Sequence, residues 1–402
     1  MPPSSSPPKP SSTTTPGPLP IRPSSSVILL SPTNQILLLH RVAKSSSFAS
    51  AHVFPGGNLS SFHEGDYYPL PEGEELHVDS EAYRLAAVRE TFEESGILLA
   101  RRKNGGGKGE GEMLELSEEE LEEGRKVVFG DKVRFGEWLD SKGGVADIEN
   151  LHPFTRWITP ANQRRRFTTQ MYLYMLPLLS PTSPLPQGQS QTTSLVQTPT
   201  HDGGIEHTSA IFSPASTWLS QASAGDIILY PPQFYLLTLI ARFLPPQPSN
   251  YAEQRENLLT FLRRVPTSSV PHPTSNIPWA EKVMSPEVVG AFAKATGKSY
   301  GAGRVILGLA KPGRELLGVG SKRGGDVERV VLVDFRREEV EETKEVEERD
   351  AEGKVVGVRK VMTRTAVRVP RDLEVVERGE ALKAVAEEQG VQKGKKKEGS
   401  KL

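Results

Sequence analysis

The sequence predicts a mixed α/β fold, and three observations carry that reading. Apolar runs of strand length recur through the first 245 residues, a strongly acidic helix stands among them, and a second, apolar helix closes the set. The organisation read from composition is a disordered Pro/Ser/Thr-rich segment over residues 1–20 and a domain over 21–245, with insertions at 58–80, 101–150 and 179–203. An extension with small β and helical elements occupies 246–402.

Composition removes several classes of function. With 49 Lys plus Arg against 50 Asp plus Glu, no net charge draws the chain to nucleic acid or to an acidic membrane surface. The chain has no cysteine, which excludes disulfides, thiolate catalysis and zinc-cysteine sites. No apolar run approaches the roughly 20 residues of a membrane-spanning helix, so a soluble protein is expected. Residues 1–20 lack both the apolar stretch of a secretory signal and the Arg-rich amphipathic pattern of a mitochondrial one.

The elements follow in order. Ser26 to Ser31 and Gln35 to Arg41 are apolar runs joined by Pro32-Thr33-Asn34, a hairpin pattern. Arg41, at its end, is either a phosphate contact or a solvated strand-end cation. His52 to Gly57, HVFPGG, reads as a strand closed by a glycine turn. Arg89 to Gly96, RETFEESG, then sets Glu90, Glu93 and Glu94 on one side of a helix and Leu85, Val88 and Phe92 on an adjoining side. Carboxylates four apart repel unless a cation lies between them, and hard Mg2+ or Mn2+ is the natural one. A solvated acidic face is the bland alternative. Arg89 can hold Glu93 one turn away, Asp79 or Ser80 can cap the helix, and Gly96 ends it.

Beyond a Gly/Lys/Arg-rich break, Ser117 to Arg125 reads as a solvated acidic helix. His152 to Leu178 supplies two strands, the second with Phe167, Met171, Leu173 and Met175 as expected core. Arg164, Arg165 and Arg166 form a basic knot on the turn between them, a candidate for an anionic ligand. Leu179 to Thr200 reads as a mobile loop, and Glu206, just after it, is a lone acid that reads as ordinary surface unless the fold brings it near a metal. A strand then yields to a helix begun at Ser213-Pro214, Phe234 to Phe243 is the closing helix, and Glu253 to Arg264 is amphipathic. Alternating runs at Arg329 to Phe335 and Val355 to Met362 predict strands, and Ala381 to Lys397 a charged helix or tail. Ser400-Lys401-Leu402 matches a peroxisomal address read by an import receptor.

Laid end to end, Gly57, Glu81, Arg89, Glu90, Glu93, Glu94, Gly96 and Ile97 resemble the signature of the Nudix hydrolases. Two features depart from it. The loop from Asn58 to Ser80 is far longer than the family's five residues, and Thr91 stands where an aliphatic residue is usual. TRWITP followed by RRF and Thr, together with HVFPGG and Tyr230 to Leu237, resembles the subgroup typified by a peroxisomal coenzyme A diphosphatase.

The resemblance implies a Nudix fold, a mixed β-sheet sandwiched between α-helices, with loop insertions and a C-terminal extension. It implies Glu90 and Glu94 as metal ligands, Glu93 as a further ligand or general base, and Arg89 as its orienting partner. Glu81 would be structural or stand behind the ligands. Gly56, Gly57, Arg41 and Arg164 to Arg166 would face the substrate. The implied activity is metal-dependent cleavage of a diphosphate linkage, coenzyme A or an acyl-coenzyme A being favoured over ADP-ribose or NADH. A Nudix-fold binding module without turnover is the reading from another class, and an RNA-processing enzyme is disfavoured by the balanced charge.

Overall fold

The computed structural model describes residues 20–42, 50–103, 111–163, 165–178, 207–245, 250–292, 303–349 and 355–399. Of these, the side chains of 338–349, 355–368 and 389–399 fall outside the described set. The expectations for residues 1–19, 179–200, Arg164, Glu206 and Ser400, Lys401 and Leu402 lie outside the described residues.

The first apolar run becomes β1 (Ile21–Leu30), which turns through Asn34 at φ 57° into β2 (Ile36–Arg41). Asparagine tolerates that left-handed conformation better than most residues, so the predicted hairpin forms there. β3 (His52–Val53) and β4 (Gly56–Asn58) come from HVFPGG, and α1 (Glu81–Ser95) is the acidic helix. Next come β5 (Ala100–Arg102), α2 (Glu118–Phe129), α3 (Phe135–Ser141), β6 (Gly144–Ala146), β7 (His152–Ile158) and β8 (Arg166–Met175). β9 (His207–Ser213) leads into α4 (Ala215–Ala224), α5 (Pro231–Ala241) and α6 (Tyr251–Arg263). The chain continues through β10 (Val283–Met284), β11 (Glu287–Ala291), β12 (Val305–Leu309), α7 (Arg314–Leu317), β13 (Asp326–Arg349), β14 (Val355–Glu377) and α8 (Arg378–Gly399).

An eight-stranded mixed sheet runs β10-β7-β8-β1-β2-β3, with β4 on β1 and β9 on β2. β1 lies parallel to β8 and antiparallel to β2 and β4. Both faces are buried, which explains why its strands read as unbroken apolar runs rather than as alternations. Ile28, Leu30, Ile36, Leu38, Met171 and Leu173 pack toward α4, α5 and α6. Their neighbours Val27, Leu29, Leu37, Leu39, Tyr172 and Tyr174 pack toward α1, α2 and α3. Met171 and Leu173 are core as expected, while Phe167 and Met175, nearer the strand ends, are only partly buried.

Residues after 245 share this core. Leu258, Trp279, Met284, Leu307, Val331 and Leu373 belong to the cluster that holds α5, and β10 pairs in parallel with β7. Arg255 of α6 is buried, donating to Asn34 Oδ1 at 2.7 Å, Leu176 O at 2.7 Å and Ser31 O at 2.8 Å. Those bonds tie α6 to the β1–β2 turn. β11 to β14 form a second, four-stranded sheet.

One helix differs from expectation. α2 begins with a Ser117/Glu120 capping box and an acidic, exposed first turn, but Gly124, Arg125 and Val128 are buried against α1 and α3. Its acidic beginning hides a short inward face, too narrow to register as periodicity.

Candidate active site

α1 positions the site because it is buried on most of its circumference. The sheet covers one side, while Phe135 and Trp138 of α3 cover another, Trp138 stacking on Phe92 with centroids 4.9 Å apart. Ser80 takes an extended N-cap conformation, and Gly96 ends the helix in the left-handed region at φ 73°. Thr91, unusual at its place, spends its hydroxyl on Ala87 O at 2.8 Å. The polar group is satisfied within the helix, so the departure from an aliphatic residue leaves nothing unpaired.

The carboxylates emerge where α1 meets β4. Glu94 Oε2 accepts a hydrogen bond from the Gly56 amide at 2.7 Å. Glu90 lies against Gly57 so closely that a Cβ there would stand 2.4 Å from Glu90 Oε2. A side chain at residue 57 would therefore push Glu90 out of place. This close approach is the physical reason for glycine at the turn.

Arg89 joins the rest. It is buried, with Nη1 2.9 Å from Glu90 Oε1 and 3.2 Å from both oxygens of Glu93. Nε and Nη2 reach Glu64 at 2.9 and 3.3 Å, and Nη2 also donates to Asn58 O at 2.9 Å. Burial opposes the guanidinium charge, but Glu90, Glu64 and Glu93 outweigh it and hold the group firmly protonated. Glu93 is moved the other way: burial pushes its carboxyl up to about 7, against the pull of Arg89 and with Glu90 adding to the rise.

Glu64 was not anticipated. It is 1% exposed, and its Oε2 also accepts from the Ser60 amide at 2.6 Å. Glu81, assigned above to the signature's first glutamate, instead takes a hydrogen bond from Tyr67 Oη at 2.8 Å on the exposed side of the helix start. Only residues 58–63 separate Gly57 from Glu64, close to the family spacing, so the extra length of the loop lies after Glu64 rather than before it. That spacing was a signal available in the sequence.

Three further residues join the site unannounced. His63 accepts from the Phe135 amide through Nδ1 at 3.1 Å, which leaves Nε2 to carry the proton toward Asp131 at 3.0 Å. Burial and the Arg89 charge lower its pKa, and Asp131 opposes them. Arg125 donates to Glu93 O at 2.6 Å and so pins the last turn of α1. His207, the first residue of β9 and fully buried, places Nε2 3.7 Å from Glu94 Oε1.

Among the described basic candidates, Arg166 stands apart from the site's acids. Arg41 pairs in register with His207 across β2 and β9, so its backbone lies at the site's edge. Arg166 is buried, 2.6 Å from Glu315 Oε1 and bonded to Thr159 O at 3.0 Å. It pairs with Ile21 at the start of β1, whereas Gly56 to Asn58 pair with Ser24 to Ser26. Arg165 is exposed on the preceding turn.

Among the described residues, no three His, Asp or Glu side chains converge as a ready metal cage. The Arg89 guanidinium stands between Glu90 and Glu93, where such a point would fall. The donor chemistry nevertheless fits a hard divalent cation: three carboxylates, Glu64, Glu90 and Glu93, gather around one guanidinium, Glu94 is held on the Gly56 amide, and carboxylate oxygen suits Mg2+ or Mn2+. Glu90 and Glu94, with Glu93, are the residues able to hold it.

A mixed sheet between helices, with an acidic helix docked on a glycine turn, is the arrangement of the Nudix fold. Residues 69–240 match the family model described as the NUDT19 Nudix domain. Acyl-coenzyme A diphosphatase NUDT19 of Gallus gallus is 28% identical over 250 residues, covering 52% of this chain and 61% of that protein. The Xenopus laevis protein of the same name is 25% identical over 248 residues, covering 52% and 60%. The chain thus spans about three fifths of the length of these curated relatives. A crystal structure of a Nudix hydrolase from Alicyclobacillus acidocaldarius aligns at a TM-score of 0.42 with 18% identity, over 59% of this chain and 96% of that one.

Two outcomes test the geometry. Glu64→Ala leaves a buried guanidinium without its two-point partner and should destabilise the protein by about 3–5 kcal/mol in urea unfolding. Glu81→Ala, on the surface, should stay within about 0.5 kcal/mol, and equal effects would overturn the assignment of Glu64. The second concerns Glu93. Its folded pKa is raised, so between about 4.5 and 7 the folded state holds a proton that the unfolded state has lost, and stability falls as pH rises. In EDTA, melting from pH 4.5 to 8 should show a steeper decline for the native sequence than for Glu93→Gln, and parallel curves would refute the shift.

Proposed function

We propose that this protein is a metal-dependent Nudix hydrolase that cleaves the diphosphate linkage of a nucleoside diphosphate derivative, with coenzyme A or an acyl-coenzyme A as substrate. The observation that carries the reading is the cluster centred on Arg89, in which Glu90, Glu93 and Glu64 are fixed around one guanidinium beside the Gly56–Gly57 turn. The relatives from Gallus gallus and Xenopus laevis, both acyl-coenzyme A diphosphatases by name, support the choice of substrate.

A diphosphate resists hydrolysis because its negative charge repels the attacking oxygen. A bound Mg2+ or Mn2+ supplies neutralisation of that charge and a more acidic water. Glu90 and Glu94 would hold the cation. Gly56 N–H fixes Glu94, and Arg89 fixes Glu90, so both carboxylates are oriented before substrate arrives. Glu93, poised near neutrality, takes the proton from the attacking water as general base. The water oxygen bonds to phosphorus and the bridging P–O bond breaks, giving adenosine bisphosphate and phosphopantetheine or its acyl form. Arg41, Arg165, Gly56 and Gly57 are the described candidates to meet the phosphates, and Arg164 precedes Arg165 in the sequence. Arg166 has a lesser claim because of its ion pair with Glu315.

Purified protein with Mg2+ or Mn2+ should hydrolyse coenzyme A and acetyl-coenzyme A. Glu93→Gln should lower the rate by about 10²–10⁴-fold, and Glu94→Gln should abolish turnover. Turnover of only ADP-ribose or NADH would overturn the substrate, and a folded protein inactive on the whole panel would point to a binding module.

Peroxisomal import through Ser400, Lys401 and Leu402 belongs to the same proposal. A fluorescent protein fused ahead of residue 1 should collect in peroxisomes and should spread through the cytosol when those three residues are deleted. Identical distributions would remove the localisation.

A further inference from the structure

One buried imidazole reaches the carboxylate centre from an element that the acidic helix does not contain. His207 opens β9 with no exposed surface, and its Nε2 stands 3.7 Å from Glu94 Oε1. The other oxygen of Glu94 is already engaged by the Gly56 amide at 2.7 Å, so the carboxylate is oriented with Oε1 toward the imidazole. We propose that His207 is a nitrogen ligand of the divalent-cation centre, sharing one cation with Glu94 and biasing the site toward Mn2+ over Mg2+. This rests on the metal-dependent reading given above.

The separation is the first support. At 3.7 Å the two atoms are too far apart for a hydrogen bond. Two ligands each about 2.1 Å from a shared cation lie roughly 3 Å apart at a right angle and about 4.2 Å apart when opposite. The observed 3.7 Å matches neither value, so the two side chains must close by somewhat under 1 Å to share a cation at a right angle, a movement within the reach of side-chain rotation.

Chemistry is the second. Mg2+ takes an all-oxygen environment and surrenders its waters reluctantly, whereas imidazole nitrogen suits first-row transition ions. Carboxylates alone separate Mg2+ from Mn2+ poorly. One nitrogen donor among them tips the balance to Mn2+.

The third is rigidity. His207 pairs with Arg41 of β2 just beyond a shift of register after His40, and Glu94 lies in the last turn of a helix packed on that sheet. The donors therefore belong to two different rigid elements, as a selective site requires.

The test is pulsed electron paramagnetic resonance of Mn2+ bound to the full-length protein, beside calorimetric titration of Mn2+ and Mg2+. The native sequence should show nitrogen-14 modulation on the Mn2+ signal, and His207→Gln should lose it. Mn2+ affinity should fall about tenfold or more in that variant while Mg2+ affinity changes far less. Bound Mn2+ without nitrogen coupling in the native protein would overturn the proposal without requiring any variant to fold. Equal weakening of both ions in His207→Gln would also overturn it, leaving His207 as a positioning residue for Glu94. Those results leave the hydrolase reading intact. Failure of the native protein to bind either ion, with Glu94→Gln indistinguishable from it, would remove the metal centre and the hydrolase reading together.

Discussion

A guanidinium removed from water must be matched by charge and hydrogen bonds, and much of the active-site architecture answers that requirement at Arg89. Its ion pairs and hydrogen bonds draw on Glu64 from the insertion, Asn58 O from β4, and Glu90 and Glu93 from its own helix. The desolvation of such a group is costly, so losing any one partner loosens the others. Arg89 thus sets the distance between α1 and β4. The same contact brings Glu94 under the Gly56 amide and Glu90 over Gly57.

The long insertion between Glu64 and α1 is held at both ends. At its start, Glu64 pairs with Arg89 and His63 with Asp131. At its end, Ser321 Oγ donates to Glu74 Oε1 at 2.5 Å and Arg323 donates to His77 O. Below it, Arg156 of β7 is fully buried beneath the Tyr83 ring at 4.3 Å and reaches Val78 O at 3.0 Å. Residues far along the chain therefore brace the loop that supplies Glu64. Among the described residues after 245, Ser321 meets Glu74 and Arg323 meets His77 of this loop.

What the sequence disclosed follows from range. The β1–β2 hairpin, β8, α1 and α5 are written in local patterns: apolar runs, a turn asparagine and helical spacing of three glutamates. The solvated reading of the acidic face does not hold, because Glu93 and Glu94 are buried. Glu90, Glu93 and Glu94 do share one end of α1, but packing on opposite sides buries that helix almost completely, which a single amphipathic stripe does not predict. Glu64 escaped because motif spacing was counted to the wrong glutamate. His207 escaped because a lone histidine at a strand start has no period. β10, with two residues, gains its place from the parallel partner β7, which no local signal announces.

The two ends of the carboxylate set are held by different means, and the difference matters chemically. Glu94 is fixed by a backbone amide, a neutral donor attached to a strand of the main sheet. Glu93 is fixed by Arg89 yet lies deep enough for burial to exceed the pull of that cation, leaving its carboxyl near 7. A carboxylate with a pKa near neutrality suits proton transfer. Spacing of three and four residues places both groups on the same side of one helix, but spacing does not assign them separate tasks. That division arises from what packs over each: Gly56 in one case, and the buried ring of Arg89, Glu64 and Glu90 in the other.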